Sequence, residues 1–409
     1  MRILVIGDVY PWPPRDGYRL RFASVVQALA DCGEVDLFVA AFDGEVVLDG
    51  SHPCVTRYAA AVAPSTRRSG GKFLKTFFRR APRRMAWRDW GPAASSLGAF
   101  VEAPYDVVWY SHADVYSMLG SPSFGPSIVD LDNLEDVVLE RAVSAQKGHA
   151  ILREGNQARF LDAIRSALVR ALDRRDVKRW SSLQRTIALS ANAVVVCSDL
   201  DARRLGRGTV EVIPNGYPNP GGARSLPAPS QQLVMVGRFT YEPNLAGALW
   251  FLQSVFPSLR KQLPDATIRF VGRFDDRLSS VATGEGVTVV GEVEDIETEL
   301  RAARGVVVPL LSGSGTRIKI LEAFAYGVPL VTTTIGCEGI DVVPGVHALV
   351  CDDPLEFATA CQRILVDDAL WTGLSEAGVE LYLDRYSTDS TARLVKQLVK
   401  ATVEGSAAP

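Results

Sequence analysis

The feature that most limits what this chain can fold into is a rhythm. Short unbroken apolar runs alternate with stretches whose apolar residues recur at helical spacing, and the pattern is laid down twice. Ile3–Ile6 stops at Gly7-Asp8; a proline-rich loop and Gly17 follow, then Phe22, Val25, Val26 and Leu29 on one helical face. A run this short and apolar throughout reads as a strand buried on both sides, which needs a parallel sheet covered by helices. Further strands are expected at Val35–Val39, Val107–Tyr110, Ser127–Leu131 and Ala193–Cys197. An Arg-rich stretch over 133–190 reads as helical with a solvated charged face. Residues 214–230, PNGYPNPGGARSLPAPS, are almost uncharged and read as a linker. The rhythm then restarts, with strands at Leu233–Val236, Thr267–Val271, Val287–Val290, Val306–Pro309 and Leu330–Thr332. Helices are expected at 243–262, 294–303 and 316–326, and 353–403 is mainly helical. Two α/β domains in series follow, which suits 409 residues at about 150 per domain.

Composition narrows the class. An apolar fraction of 47% with 22% charged residues excludes disorder, collagen and coiled coil as the main state. A net charge of −3 excludes a general nucleic-acid binder. Six scattered cysteines without Cys-x-x-Cys, and only four histidines, argue for reduced cytosolic thiols rather than zinc or a disulfide framework. The apolar run at the N-terminus is too short for a signal peptide, and none is long enough for a membrane span. The expected location is cytoplasmic, with peripheral contact at the inner membrane face as an option. That option rests on one segment. From Ser51 to Arg88 there are ten Lys and Arg and no acid, and Phe73, Leu74, Phe77 and Phe78 share a helical face there. Residues 72–90 therefore suit a membrane surface or a phosphorylated acceptor, although a surface loop packing its aromatics inward has the same composition.

The segment richest in chemistry is Ser312-Gly313-Ser314-Gly315-Thr316-Arg317-Ile318-Lys319-Ile320-Leu321-Glu322-Ala323. It follows an apolar strand and opens a helix ending at Gly327. A glycine turn between strand and helix exposes backbone N–H groups at the positive helix end, where phosphate binds. Lys319 adds a cation one turn in. Glu322, on the same face, offers a carboxylate suited to a ribose diol. An ordinary glycine turn beside a surface Lys–Glu pair has the same local features. Gly237-Arg238 puts a guanidinium directly after the strand Leu233–Val236, at the sheet edge where open α/β folds bind ligands. His112 holds the corresponding place after Val107–Tyr110. Asp130-Leu131-Asp132 has the Asp-x-Asp spacing of a metal–nucleotide motif, a spacing common by chance; Asp199-Leu200-Asp201 reads as a helix cap. No metal site is expected.

Together these residues resemble the retaining glycosyltransferases of family 4. Val212-Ile213-Pro214-Asn215-Gly216 is similar to that family's interdomain turn, and Val236-Gly237-Arg238 to its phosphate-binding strand end. Val289–Val293 is similar to its base-contacting loop. Gly313–Glu322, followed by Ala325–Val331, resembles its donor-site helix and exit. The resemblance implies a GT-B fold: two Rossmann-like parallel-sheet domains facing across a cleft, with a C-terminal helix crossing back to the first. The expected boundaries are 1–213 plus helix 387–405 for the acceptor domain, 214–230 for the linker and 231–386 for the donor domain.

The implied activity is hexosyl transfer, with retained configuration, from a nucleoside-diphosphate sugar to an acceptor hydroxyl, in polysaccharide, glycolipid or natural-product biosynthesis. UDP- or GDP-sugar is favoured, with no cofactor and no required metal. The acceptor is a saccharide, lipid-linked or small-molecule hydroxyl. Arg238, Lys319 and His112 carry over as catalytic residues. Gly17, Gly237, Gly291, Val293, Gly313, Ser314, Gly315, Thr316 and Glu322 carry over as donor-binding residues. The chain departs from the family at two places. Ser314 stands eight positions before Glu322, where members usually carry a second glutamate. Pro243 and Asn244 stand where a lysine often follows the arginine, which leaves Lys319 to supply that cation. A nucleotide-sugar epimerase of the same fold and a non-catalytic nucleotide-sugar-binding protein are the alternatives.

Overall fold

The computed structural model describes residues 1–42, 50–65, 81–141, 159–206, 208–222, 226–313, 315 and 317–406. The chain forms two compact units. Met1–Pro214 and Thr391–Pro409 make the first; Asn215–Ser390 make the second.

The first unit is built on seven parallel strands. These are β1 (Arg2–Gly7), β2 (Glu34–Ala41), β3 (Arg57–Val62), β4 (Val107–Ser111), β5 (Ser127–Asp130), β6 (Ala193–Val196) and β7 (Val210–Val212), in the order β3-β2-β1-β4-β5-β6-β7. Both faces are covered, as unbroken apolar strands require. Leu4 and Ile6 of β1 join one core with Val108, Tyr110 and Trp180, while Ile3 and Val5 join the other with Phe22, Val26 and Leu29. Val395, Leu398 and Val399 of the last helix, Thr388–Ser406, complete that second core.

The second unit repeats the plan with six strands. They are β8 (Gln232–Val236), β9 (Thr267–Val271), β10 (Val287–Gly291), β11 (Gly305–Val308), β12 (Leu330–Thr332) and β13 (Leu349–Val350), in the order β10-β9-β8-β11-β12-β13. Trp371, Phe251, Phe270 and Phe357 fill one face; Val306, Val308, Phe324 and Tyr382 fill the other.

β3, β7 and β13 go beyond the strands expected from the sequence. β3 reads Arg-Tyr-Ala-Ala-Ala-Val, with few of the β-branched residues that mark strands. β7 and β13 have only three and two residues and lie at sheet edges. The cap at 199–201 also differs: Ser198 is the N-cap and its side chain accepts from the Asp201 N–H.

In both sheets the order of the strands reverses once, between β1 and β4 and between β8 and β11. Loops on either side of such a point leave in opposite directions and open a crevice at the carboxyl ends of the strands. In the second unit the helix Glu242–Trp250 is drawn close to this point, because Gly247 has no side chain. A Cβ there would meet the Pro309 carbonyl oxygen at 2.4 Å, and that oxygen is backbone and cannot swing away. We expect Gly247→Val to push the helix off β11 and lower unfolding stability by about 1–3 kcal/mol, read from the denaturant midpoint.

Candidate active site

The second unit gathers its polar residues at the β8–β11 reversal. Asn244 lies in the first turn of Glu242–Trp250, and Lys319 lies one residue into the helix Ile318–Ala325. Lys319 Nζ donates to Asn244 Oδ1 at 2.6 Å, and Asn244 Nδ2 donates to the Arg238 carbonyl at 3.0 Å. Gly237 lies against this pair: a Cβ there would be 3.1 Å from Asn244 Nδ2 and 3.5 Å from Lys319 Nζ. One amide thus ties the end of β8 to the cation that follows the glycine turn. The Arg238 side chain is exposed and forms no ion pair among the described residues.

Lys319 is half-buried, and desolvation together with the nearby Arg317 charge lowers its ammonium to about 7. Glu322 Oε1 accepts from Tyr217 Oη at 2.7 Å. Burial pushes the Glu322 carboxyl up, opposed by the phenol and by Lys319. Two opposite charges therefore sit here half-buried, with few partners among the described residues.

Gly313 and Gly315 have φ of +115° and +79°, the left-handed region that other residues enter only at a cost. They give the turn before the helix its shape. Ser314 and Thr316 lie outside the described residues. Gly291 (φ +98°) ends β10 with open space where a side chain would be, and Val293 follows exposed. These two stand two strands away from β8, at the edge of the sheet.

The first unit has its own cluster, at the β1–β4 reversal. Asp8 follows β1 and His112 follows β4, the latter at a φ of +81°. His112 Nδ1 is 3.4 Å from Asp8 Oδ2, and its ring stacks on Tyr18 at 4.2 Å. Tyr18 Oη donates to Asp8 Oδ1 at 2.6 Å and lies 3.0 Å from Ser111 Oγ. Gly17, just before Tyr18, opens the helix Gly17–Ala30, whose cap is Asp16. Burial opposes charge on His112, but the Asp8 carboxylate outweighs it and lifts the imidazole to about 9. Burial likewise opposes charge on Asp8, and His112, Tyr18 and Arg84 overcome it and lower the carboxyl to about 2.

Asp8, His112 and Asp114 place ligand atoms within 4.8 Å of one another, a spacing that suits a cation. A guanidinium is already there. Arg84 reaches Asp114 at 3.2 Å, Glu135 at 2.7 Å and Asp8 at 3.8 Å.

That use of Arg84 bears on the basic segment. Arg83 pairs with Asp173 and Asp176, and Arg57 with Asp36 and Glu102, so these cations neutralise acids of their own unit. Residues 66–80, with Phe73, Leu74, Phe77 and Phe78, lie outside the described residues. Asp-x-Asp is likewise occupied from within. Arg21 grips Asp130 through two hydrogen bonds of 2.9 and 2.8 Å and approaches Asp132 at 3.9 Å. All six cysteines are free thiols. Among the described residues no helix is long and apolar enough to cross a membrane.

Residues 230–367 match the family model described as Glycosyl transferases group 1. The second unit is a group 1 glycosyltransferase domain. The matched region holds Arg238, Asn244, Lys319 and Glu322. Over 135 residues the chain is 26% identical to an uncharacterized 44.6 kDa protein in the cps region of Klebsiella pneumoniae, a match covering 31% of this chain and 35% of that protein. Solved structures extend the likeness to both units of the glycosyltransferase fold. A sucrose-phosphate synthase from Thermosynechococcus elongatus has a TM-score of 0.69 at 19% identity, covering 99% of this chain and 100% of that one. Anabaena HepE in complex with UDP has a TM-score of 0.64 at 14% identity, covering 98% and 100%. The lipopolysaccharide outer core galactosyltransferase WaaB has a TM-score of 0.58 at 12% identity, covering 99% and 100%. The chain has the GT-B fold.

Tyr217 is a residue of this cluster that the sequence reading passed over. Its signal was its place directly after Pro214-Asn215-Gly216. Tyr18, directly after Gly17, and Arg84, counted only as part of a basic run, were missed in the same way.

If Asp8 is what charges His112, then Asp8→Asn should bring the imidazole down to its ordinary value near 6.5 or below, since burial alone disfavours the cation. His112 signals in NMR titration would check this. The imidazole's contribution to folding stability is present below pH 6.5 and lost as pH rises through about 9; in the variant that loss should disappear.

Proposed function

We propose that the chain is a retaining glycosyltransferase that moves a sugar from a nucleoside-diphosphate sugar to an acceptor hydroxyl. The observation that carries this reading is the pair of half-buried, under-compensated charges Lys319 and Glu322, with Asn244 linking Lys319 to the main chain of the exposed Arg238. A diphosphate would supply the negative charge that Lys319 and Arg238 lack, and a ribose would supply donors to Glu322. The turn containing Gly313 and Gly315 leads into the N-terminus of the helix that carries both groups, the kind of place where phosphate binds. UDP or GDP is the nucleotide we favour, and HepE, of the same fold, has been solved with UDP and with UDP-glucose.

In the reaction the bond from the anomeric carbon to the phosphate oxygen breaks, and the diphosphate leaves with the electron pair. The acceptor oxygen bonds to the same face, and its proton passes to the departing phosphate. Charge therefore develops on the diphosphate, where preorganised cations act most strongly. Arg238 and Lys319 supply that stabilisation, so we propose that no divalent metal is required. The acceptor is assigned to the first unit, whose charged His112 belongs to the acceptor side of the chemistry. A polysaccharide or glycolipid acceptor is the class we favour, and WaaB, of the same fold, is a lipopolysaccharide outer core galactosyltransferase.

Calorimetric titration with UDP, GDP, ADP and dTDP tests the donor site. One nucleotide should bind, Glu322→Ala should weaken it, and Arg238→Ala should cost about 2–4 kcal/mol of transition-state stabilisation in sugar transfer. Unchanged turnover in the arginine variant would remove Arg238 from the site; an inverted product would overturn retention. Lys319 adds a signed expectation. At about pH 8 its ammonium, at about 7 in the free protein, is largely deprotonated. A bound diphosphate raises it, so binding should take up a proton. Titration in buffers of different ionisation enthalpy measures that uptake, and Lys319→Met should abolish it.

A further inference from the structure

We propose that Tyr217 is a positioning residue of the donor site, its phenol holding the Glu322 carboxylate in the orientation that receives a ribose diol. The inference rests on the donor-site reading above. It starts from how firmly Tyr217 itself is held. Its N–H donates to the Tyr386 carbonyl at 2.8 Å, and its carbonyl accepts from the Thr388 N–H at 3.1 Å and from Tyr382 Oη at 3.0 Å. It also pairs with Ser387 in a short parallel bridge. None of these bonds uses the phenol. The main chain is therefore fixed by its neighbours, and the side chain reaches out from a rigid base to Glu322 Oε1 at 2.7 Å.

Among the described residues Tyr217 is the only hydrogen-bond donor to the Glu322 side chain. A half-buried carboxylate with one donor among the described residues is both oriented and unfinished. Oε2 and the second lone pair of Oε1 remain for a ligand, and two acceptor positions match two vicinal hydroxyls. Without the phenol, no other hydrogen bond among the described residues would fix the carboxylate's rotation, and its partial burial would favour the protonated form. The tyrosine thus sets the angle of the group that reads the sugar of the nucleotide and, together with Lys319, favours its charged form.

The experiment uses the full chain and its Tyr217→Phe, Glu322→Ala and doubly substituted forms. Affinity is measured by calorimetry for UDP and for 2′,3′-dideoxy-UDP, or for the guanine pair if GDP binds better. The expected result is a loss of about tenfold for the ribonucleotide in Y217F, little change for the dideoxy form, and no added loss when Y217F is placed on Glu322→Ala. In Y217F the ribonucleotide affinity should also fall away at a higher pH than in the parent, because the carboxyl loses a partner of its charged form. A purely structural tyrosine would weaken both nucleotides alike and leave the pH profile in place. If Glu322→Ala removes the preference for ribose while Y217F keeps it, the Tyr217 inference is overturned and the donor reading stands. If Glu322→Ala binds both nucleotides as the parent does, the donor reading itself fails. Additive losses in the double variant would also overturn the coupling. Thermal melting of Y217F close to that of the parent confirms that the main-chain grip survives.

Discussion

The two polar clusters in this chain depend on one feature of open parallel sheets covered on both faces: the strand order reverses, and the loops there part. β1 against β4 is that place in the first unit, and β8 against β11 in the second. Three of those strands, β1, β4 and β8, run directly into residues of the two polar clusters. Asp8 and His112 flank the first crevice. Gly237 and Arg238 flank the second, with Asn244 and Lys319 brought to it by the helices beyond. The cores set this up without taking part in it, since apolar strands covered on both faces leave their carboxyl ends as the place for polar chemistry.

The two crevices are opposite in their state of completion. In the first unit the groups satisfy one another: Asp8 has Tyr18, His112 and Arg84, and each of its partners stabilises its charged form. The resulting imidazolium is a settled feature of the free protein. In the second unit the balance is left open. Burial drives Lys319 toward the neutral amine and Glu322 toward the neutral acid, and their mutual attraction does not offset it. A site that strains its own charges gains most from a ligand that restores them, which is what preorganised stabilisation of a phosphate would use.

The fold was legible because it is written in periodicity, which survives in a single sequence. The unbroken runs at Ile3–Ile6 and Val306–Val308 could be little else than buried strands. β3, β7 and β13 were illegible for the converse reason: alanines and two- or three-residue edges carry no pattern. In the proposed donor site, the members adjacent in sequence, Lys319 and Glu322 on one helix turn and Gly237 beside Arg238, are the ones that spacing can pick out. Tyr217 meets Glu322 across 105 residues, and Asn244 meets Lys319 across 75. Such pairs are set by topology, and no local window contains them.

Charge shows the same limit from another side. Ten cations without an acid in Ser51–Arg88 look like a surface built for an anionic partner, but a sequence count does not record where the acids are. Arg57, Arg83 and Arg84 find theirs in Asp36, Glu102, Asp173, Asp176, Asp114 and Glu135, all outside the segment or on its far side in the fold. Arg21 does the same for Asp130 within the Asp-x-Asp spacing, gripping it bidentately while also donating to the Ile213 carbonyl at 2.9 Å. A divalent cation at Asp130 would have to displace that buried guanidinium and leave it unpaired, a loss of about 3–5 kcal/mol. The guanidinium at Asp130 and the one at Asp8, Asp114 and Glu135 thus stand where acidic spacing alone would invite a metal. If the donor site follows the same habit, with Arg238 and Lys319 facing the phosphates, this chain meets its concentrations of negative charge with fixed side-chain cations. Their positions are set by the strand ends and helix turns that carry them.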